Sequence, residues 1–200
     1  MNLKKYIEIY RNAFGRGIFP HEMSWFLDMP GRGFIMSAKT VANRLPVASD
    51  AIVLEIGPGS GYYSAEVAKK LVHGRLEILD IQKEMLYKCQ CRLDRAGVKN
   101  YSVNLGNGKT LPFSDNVFDA IYMVTVFGEI ERRQEFLEES SRVLKPNGFL
   151  SITEHHPDPD FEHADVLQQE VEKHGFVLIQ KLGWRWAYTA NFSNMASDQS

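Results

Sequence analysis

The stretch Val53-Leu54-Glu55-Ile56-Gly57-Pro58-Gly59-Ser60-Gly61 decides how this chain folds. Its first half is a short apolar run of the kind that forms a buried strand, and its second half is a turn with glycine at 57, 59 and 61. Glycines at those places let the backbone turn sharply and approach a ligand with no Cβ in the way. A helix is predicted just after it, with Tyr63, Val67, Ala68 and Leu71 at helical spacing, and its first turn offers backbone N–H groups to a ligand. Strand, glycine turn and helix in that order predict a binding site at the carboxyl end of the first strand. Dinucleotide folds use the spacing G-x-G-x-x-G, but here Tyr62 stands at the third glycine's place and Gly61 comes one residue early. The tighter turn suits a ligand with no pyrophosphate at the helix N-terminus, which disfavours NAD.

Outward from that turn, short apolar runs alternate with amphipathic stretches, the pattern of a doubly wound, mostly parallel α/β sheet. Strands are predicted at Ala51–Ile56, Arg75–Asp80, Asn100–Leu105, Val117–Val124 and Phe149–Glu154, the last one after a turn at Pro146-Asn147-Gly148. Buried helix faces are predicted through Met85, Leu86, Cys89 and Leu93, through Phe136, Leu137 and Leu144, and through Leu167 and Val171, with a stop near Gly175. Phe176–Leu182 reads as another strand, broken by Gly183. Trp184, Trp186, Tyr188, Ala190 and Phe192 then fall at every second position, which predicts a hairpin to a final antiparallel strand with core aromatics. Residues 1–50 do not join the alternation. They read as an N-terminal helical cap, with helices near Leu3–Phe14 and Ala38–Leu45 around an aromatic, Gly- and Pro-rich stretch. The expected organisation is one domain over 1–200: the cap, an α/β core over 51–192 and a frayed tail over 193–200.

Composition sets the outer limits. Lys plus Arg number 23 against 25 Asp plus Glu, scattered along the chain, so no basic footprint for a nucleic acid is present. Charges interrupt the N-terminal apolar residues, so neither a signal-peptide core nor a membrane span is predicted. Cys89 and Cys91, two apart on a helix, point to different sides, which argues against a disulfide and fits a cytoplasmic protein. They are expected away from the site mouth.

Three further residues stand at strand ends where open α/β sheets bind ligands. Asp80 ends the second strand, where a carboxylate can accept from both hydroxyls of a ribose. Ile81 can pack on an adenine face, and Asn107, in Gly106-Asn107-Gly108, can read the adenine edge with its amide.

With these pieces in place the chain resembles the class I S-adenosylmethionine-dependent methyltransferases, in particular the branch containing the quinone-biosynthesis C-methyltransferases. The resemblance covers Val53 to Glu154 and is carried by the Glu55-to-Gly61 turn, Asp80, Gly106-Asn107-Gly108, Leu111-Pro112-Phe113 with Phe118-Asp119, and Arg142-Val143-Leu144-Lys145-Pro146-Asn147-Gly148. It implies S-adenosylmethionine as cofactor, with Gly57, Gly59 and Gly61 near its methionine part, Asp80 on the ribose and Asn107 on adenine. Glu55 and Val124, at the ends of the first and fourth strands, join this set. It also implies a seven-stranded sheet whose last strand is antiparallel. Asn107 stands where the family usually has Asp and Gly108 where Ala is common, and Val126-Phe127-Gly128-Glu129 does not reproduce the quinone enzymes' residues, so their substrate is not transferred.

A methyl acceptor belongs beyond the fourth and fifth strands, beneath the cap. Methyl transfer needs positioning first and a base only where the acceptor must lose a proton. Glu129 and His155 rank first for that role among the residues expected near the acceptor, which include Glu154, His156, Asp158 and Asp160 after the fifth strand and His21, Glu22 and Trp25 of the cap. A metal reading of His155-His156-x-Asp158-x-Asp160 with His163 yields to loop residues in a Pro-containing turn, so no metal is expected. The functional expectation is methyl transfer to a small molecule; the alternatives are a protein that binds the cofactor without turnover and a protein methyltransferase.

Overall fold

A computed structural model describes Pro20, His21 and residues 36–194 of the chain. The helix expected near residues 3–14 and the cap residues Glu22 and Trp25 lie outside the described residues. The first described helix, α1 (Ala38–Arg44), lies where the cap's second helix is predicted, and Ser37 caps it by accepting from Thr40 N at 3.0 Å.

The alternation predicted from residue 51 is present. β1 (Ile52–Ile56), α2 (Ser64–Lys70), β2 (Arg75–Asp80), α3 (Lys83–Arg95) and β3 (Tyr101–Leu105) form the first half. β4 (Phe118–Val124), a 3₁₀ turn at Phe127–Glu129, α4 (Arg133–Val143), β5 (Leu144–His155), α5 (Ala164–Glu172), β6 (Phe176–Trp184) and β7 (Ala187–Asn194) form the second. The strands make one seven-stranded sheet in the order β3-β2-β1-β4-β5-β7-β6, with β1 to β5 parallel and β7 antiparallel to both β5 and β6. Winding runs outward from β1 to β3 and restarts at β4 on the other side of β1. The glycine turn leaves β1 at that switch, where the diverging connections open a crevice.

Strand alternation assigns side chains to two cores. Val53, Ala120 and Val124 face α1, α2 and α3, while Leu54, Ile121, Leu150 and Ile152 face α4 and α5. Val53, Leu54, Ile121, Leu150 and Ile152 are fully buried. Each contributes about 2 kcal/mol relative to exposure.

Two motifs shared with the methyltransferase family serve as scaffold. Asp119 Oδ2 accepts from Ile52 N at 2.8 Å, pinning the start of β1, and both its oxygens accept from Lys145 Nζ at 2.9 Å. Arg142 donates to the carbonyls of Leu111 and Phe113 and to the carboxylates of Asp115 and Glu139, tying the loop before β4 to α4.

Several expectations need correction. Leu144 is the first residue of β5, extended at φ −71 and ψ 138, not part of the helix face. Pro146-Asn147-Gly148 lies within β5 as a bulge: the β4–β5 register jumps from Phe118↔Leu144 to Ala120↔Phe149, and Asn147 takes φ 66. Gly183 sits inside β6, and the hairpin turn is Arg185-Trp186. Trp184 is 62% exposed at the end of β6, so it is not a core aromatic. Ser193 and Asn194, expected to fray, belong to β7, where Asn194 exchanges hydrogen bonds with Ser141 at 2.9 Å. Residues 195–200 are outside the described set.

Candidate cofactor site

The glycine turn has left-handed backbone at all three positions, with φ of 65 at Gly57, 56 at Gly59 and 79 at Gly61. Gly57 N donates to Leu79 O at 2.9 Å, so the turn begins hooked to β2. A Cβ at Gly57 would lie 2.7 Å from Val126 Cγ2, and one at Gly61 would lie 2.8 Å from Cys89 Sγ. The turn is therefore wedged between the exit of β4 and α3, and glycine is required by packing as well as by dihedral angle. Cys89 lies directly beneath Gly61, against the expectation that it sits away from the mouth. Burial pushes its thiol up to about 12, so it stays a neutral packing residue.

Asp80 closes β2 and is almost buried. Its Oδ1 accepts from Gln82 N at 2.8 Å, and burial pushes the carboxyl up to about 6, against the pull of the Gln82 and Ile81 N–H groups. Ile81 and Asn107 come together on one open cleft of about 320 Å³, lined also by Leu105, Gly106, Thr110 and Pro112. Asn107 Oδ1 accepts from Lys109 N at 3.1 Å, which fixes the orientation of the amide. The cap reaches this mouth: His21 N donates to Gln82 Oε1 at 3.2 Å, and Lys88 Nζ donates to His21 O at 2.6 Å.

Glu55 lies beneath the glycine turn instead of on the cleft. It is 2% exposed and faces Ser64, Tyr122 and Cys89, and its Oε2 has no hydrogen-bond partner among the described residues. Burial, aided by the Asp80 charge, pushes its carboxyl up to about 7, while Ser64 and Tyr122 pull it down. Val124, the last residue of β4, is buried in the core under α2 and α3.

On the acceptor side, Glu129 ends the 3₁₀ turn and is partly exposed. A Cβ on its neighbour Gly128 would lie 2.3 Å from Asp160 O, so the loop after β5 rests directly on this turn. His155 ends β5 and is buried on the α2 side. Its Nδ1 is 3.1 Å from His156 O and its Nε2 is 3.1 Å from Tyr63 Oη. A carbonyl can only accept, so Nδ1 carries a proton, while the Tyr63 hydroxyl lies between His155 Nε2 and the Met36 carbonyl, to which it donates at 3.5 Å. Sequence reasoning missed Tyr63, which read as one of several apolar helix positions; its place two residues after Gly61 was the available signal.

Glu154 points to the opposite face. Burial first, then Asp158 and Glu162, hold its carboxyl well above the usual carboxylate range, which favours the protonated form. His156 packs on Phe161 and Trp186 with ring centroids 4.3 and 4.8 Å apart, and His163 lies 6.0 Å from Trp186. Among the described residues no three His, Cys, Asp or Glu side chains are grouped to hold a metal ion, and no helix is long and apolar enough to cross a membrane.

The donor set fits a nucleoside ligand bearing a cation. A carboxylate at the end of β2 suits ribose hydroxyls, Ile81 and Asn107 suit a base, the left-handed turn is a backbone cradle, and the unpartnered Glu55 oxygen beneath it favours positive charge.

Comparison with known proteins agrees with that donor set. Residues 54–152 match the methyltransferase domain family. The chain is 28% identical over 132 residues to the ubiquinone/menaquinone biosynthesis C-methyltransferase UbiE of Roseobacter denitrificans, covering 66% of this chain and 51% of that protein. It is 35% identical over 116 residues to the demethylmenaquinone methyltransferase of Tropheryma whipplei, covering 58% and 46%. The chain thus spans about half the length of the curated relatives it matches. Its fold superimposes on a SAM-dependent methyltransferase from Aquifex aeolicus with a TM-score of 0.81 and 24% identity, over 88% of this chain and 99% of that one. Glycine turn, strand-end carboxylate, seven-stranded topology and these likenesses converge: the chain belongs to the class I S-adenosylmethionine-dependent methyltransferase family, and S-adenosylmethionine is its cofactor.

Proposed function

We propose that the protein transfers a methyl group from S-adenosylmethionine to a small-molecule acceptor. The observation that carries this reading is the convergence of the left-handed glycine turn, Asp80 and the Ile81–Asn107 cleft at the carboxyl ends of three adjacent strands. Gly57, Gly59 and Gly61 admit the methionine part, Asp80 holds the ribose hydroxyls, Ile81 lies on adenine, Asn107 reads its edge, and Glu55 and Val124 support the turn from below. The cofactor supplies a sulfonium methyl with a good leaving group, so the chain's task is to position the acceptor and manage its proton. Glu129 and His155 are the groups proposed for that proton. The ring of His155 is held at Nδ1 by the His156 carbonyl with Nε2 directed at the Tyr63 hydroxyl, which would relay the acceptor's proton to it.

The test is the thermal midpoint with S-adenosylmethionine or S-adenosylhomocysteine, with NAD as control. A ligand that binds the folded state raises the midpoint by mass action. A rise with the two methionine-derived ligands alone, lost in Asp80→Ala, supports the site; no rise at saturating ligand sinks it. An acceptor screen then begins with ring-bearing molecules, because the curated relatives are named for C-methylation in quinone biosynthesis. Glu129→Gln and His155→Gln are expected to slow turnover on a proton-bearing acceptor while leaving the midpoint shift in place.

A further inference from the structure

We propose that Glu55 senses the sulfonium charge of the bound cofactor: it holds a proton when no sulfonium is seated at the glycine turn, releases it when the donor binds, and regains it when the demethylated product replaces the donor. The proposal rests on the reading of the glycine turn as the cofactor site.

The geometry is that of a buried acid lacking a counter-charge. Glu55 lies two residues before Gly57 on β1, almost completely enclosed, and its Oε2 has no hydrogen-bond partner among the described residues. Across the β1–β4 ladder it is aligned with Tyr122, whose buried hydroxyl faces the carboxyl. From α2 it is faced by Ser64, and from α3 by Cys89, whose Sγ lies 3.6 Å from Ser64 Oγ. From the end of β2 it feels Asp80. None of these groups is a cation, and Arg92 acts on the Cys89 thiol. Burial and the Asp80 charge place the Glu55 carboxyl at about 7, so near neutral pH a modest change in local charge decides its state.

The two ligands differ by such a change. Both carry the same amino-acid ammonium and carboxylate; the donor adds a fixed positive sulfonium, and after methyl transfer the S–C electron pair remains on sulfur, which is a neutral thioether in the product. A positive charge above the turn favours the ionised carboxyl, so the Glu55 O–H bond breaks and the proton passes to solvent. The Tyr122 and Ser64 hydroxyls are then placed to donate to the anion. With the neutral product the burial penalty returns and Glu55 takes up a proton, which weakens the turn's hold on the product relative to the donor.

Titration calorimetry of the full chain near pH 7, repeated in buffers of different ionisation enthalpy, counts the protons released. The donor is expected to release about half a proton per site and the product several-fold less, and the donor's release is expected to vanish about two pH units higher. In Glu55→Gln the donor's release is expected to fall to about a tenth of a proton, the share of Asp80 at about 6. A second measurement needs no variant: the infrared band of a protonated buried carboxyl should bleach when the donor is added to the wild-type chain and persist with the product. Equal release for donor and product, undiminished release in Glu55→Gln, or a band that both ligands leave intact overturns the proposal. No binding heat from either ligand overturns the cofactor-site reading and the proposal with it.

Discussion

The two halves of the sheet build their candidate sites by different means. Around β1, β2 and β3 the ligand-facing groups are local: three left-handed glycines within five residues, a carboxylate at a strand end, and an amide locked by its own Asx turn. Around β4, β5 and β7 they are assembled over long stretches of chain. His155 is held by Tyr63, 92 residues away, and Arg133 pairs with Glu162, 29 residues away. A site made of backbone conformation has to be written in consecutive residues, because only glycine relieves a left-handed turn under a packing constraint. A site made of side chains carries no such obligation and can diverge with its substrate.

Gly61→Ala should have the largest effect, a loss of about 3 kcal/mol from the left-handed backbone and the collision with Cys89, together with loss of the ligand-induced midpoint rise. Urea denaturation with and without ligand measures both. A variant within about 1 kcal/mol of wild type would mean that packing does not fix the turn, and the contrast between the halves would weaken.

Glu154→Gln probes the other half, with opposite sign. The folded carboxyl pKa is raised well above 4.5, so the folded state keeps a proton that the unfolded state gives up. Its stabilising contribution is complete below about pH 4 and is lost as the pH rises toward the raised folded value. The variant should match wild type near pH 4 and be the more stable at about pH 8. Parallel stability curves from pH 4 to 8 would show that Glu154 ionises freely.

Tyr63→Phe should cost about 1 kcal/mol by removing the buried hydroxyl that contacts His155 Nε2 and the Met36 carbonyl. It should leave the cofactor midpoint rise intact while shifting the pH profile of methyl transfer. If the midpoint rise disappears instead, Tyr63 belongs to the cofactor half and the division drawn here is misplaced. Lys145→Ala should be mildest, below about 1 kcal/mol and weaker still at high salt, since both partners of its ion pair with Asp119 are partly exposed to solvent.

The same contrast explains what was legible in the sequence. Periodicity found the strands because each carries an apolar run, and the glycine turn marked the switch point. It misplaced Leu144 and Pro146-Asn147-Gly148 because an apolar residue leaving a helix and one entering a strand look alike, and a bulge borrows the residues of a turn. Trp184 and Trp186 kept strand period while serving different ends, one exposed on β6 and one in the turn against His156. Glu154 and His155 are adjacent letters, yet the pleat sends them to opposite faces. Their neighbours Asp158, Glu162 and Tyr63 arrive only through tertiary folding.

The insertion of β7 between β5 and β6 also fixes an order of assembly. β6 is made before β7 but pairs only with it, across the two-residue turn at Arg185-Trp186. A chain emerging from its N-terminal side can therefore close β3 through β5 while β6 still has no strand partner. The strand that comes last must fill the slot beside β5, carrying its predecessor onto the sheet as one hairpin, and the Asn194–Ser141 clasp latches only when that slot is filled to its end.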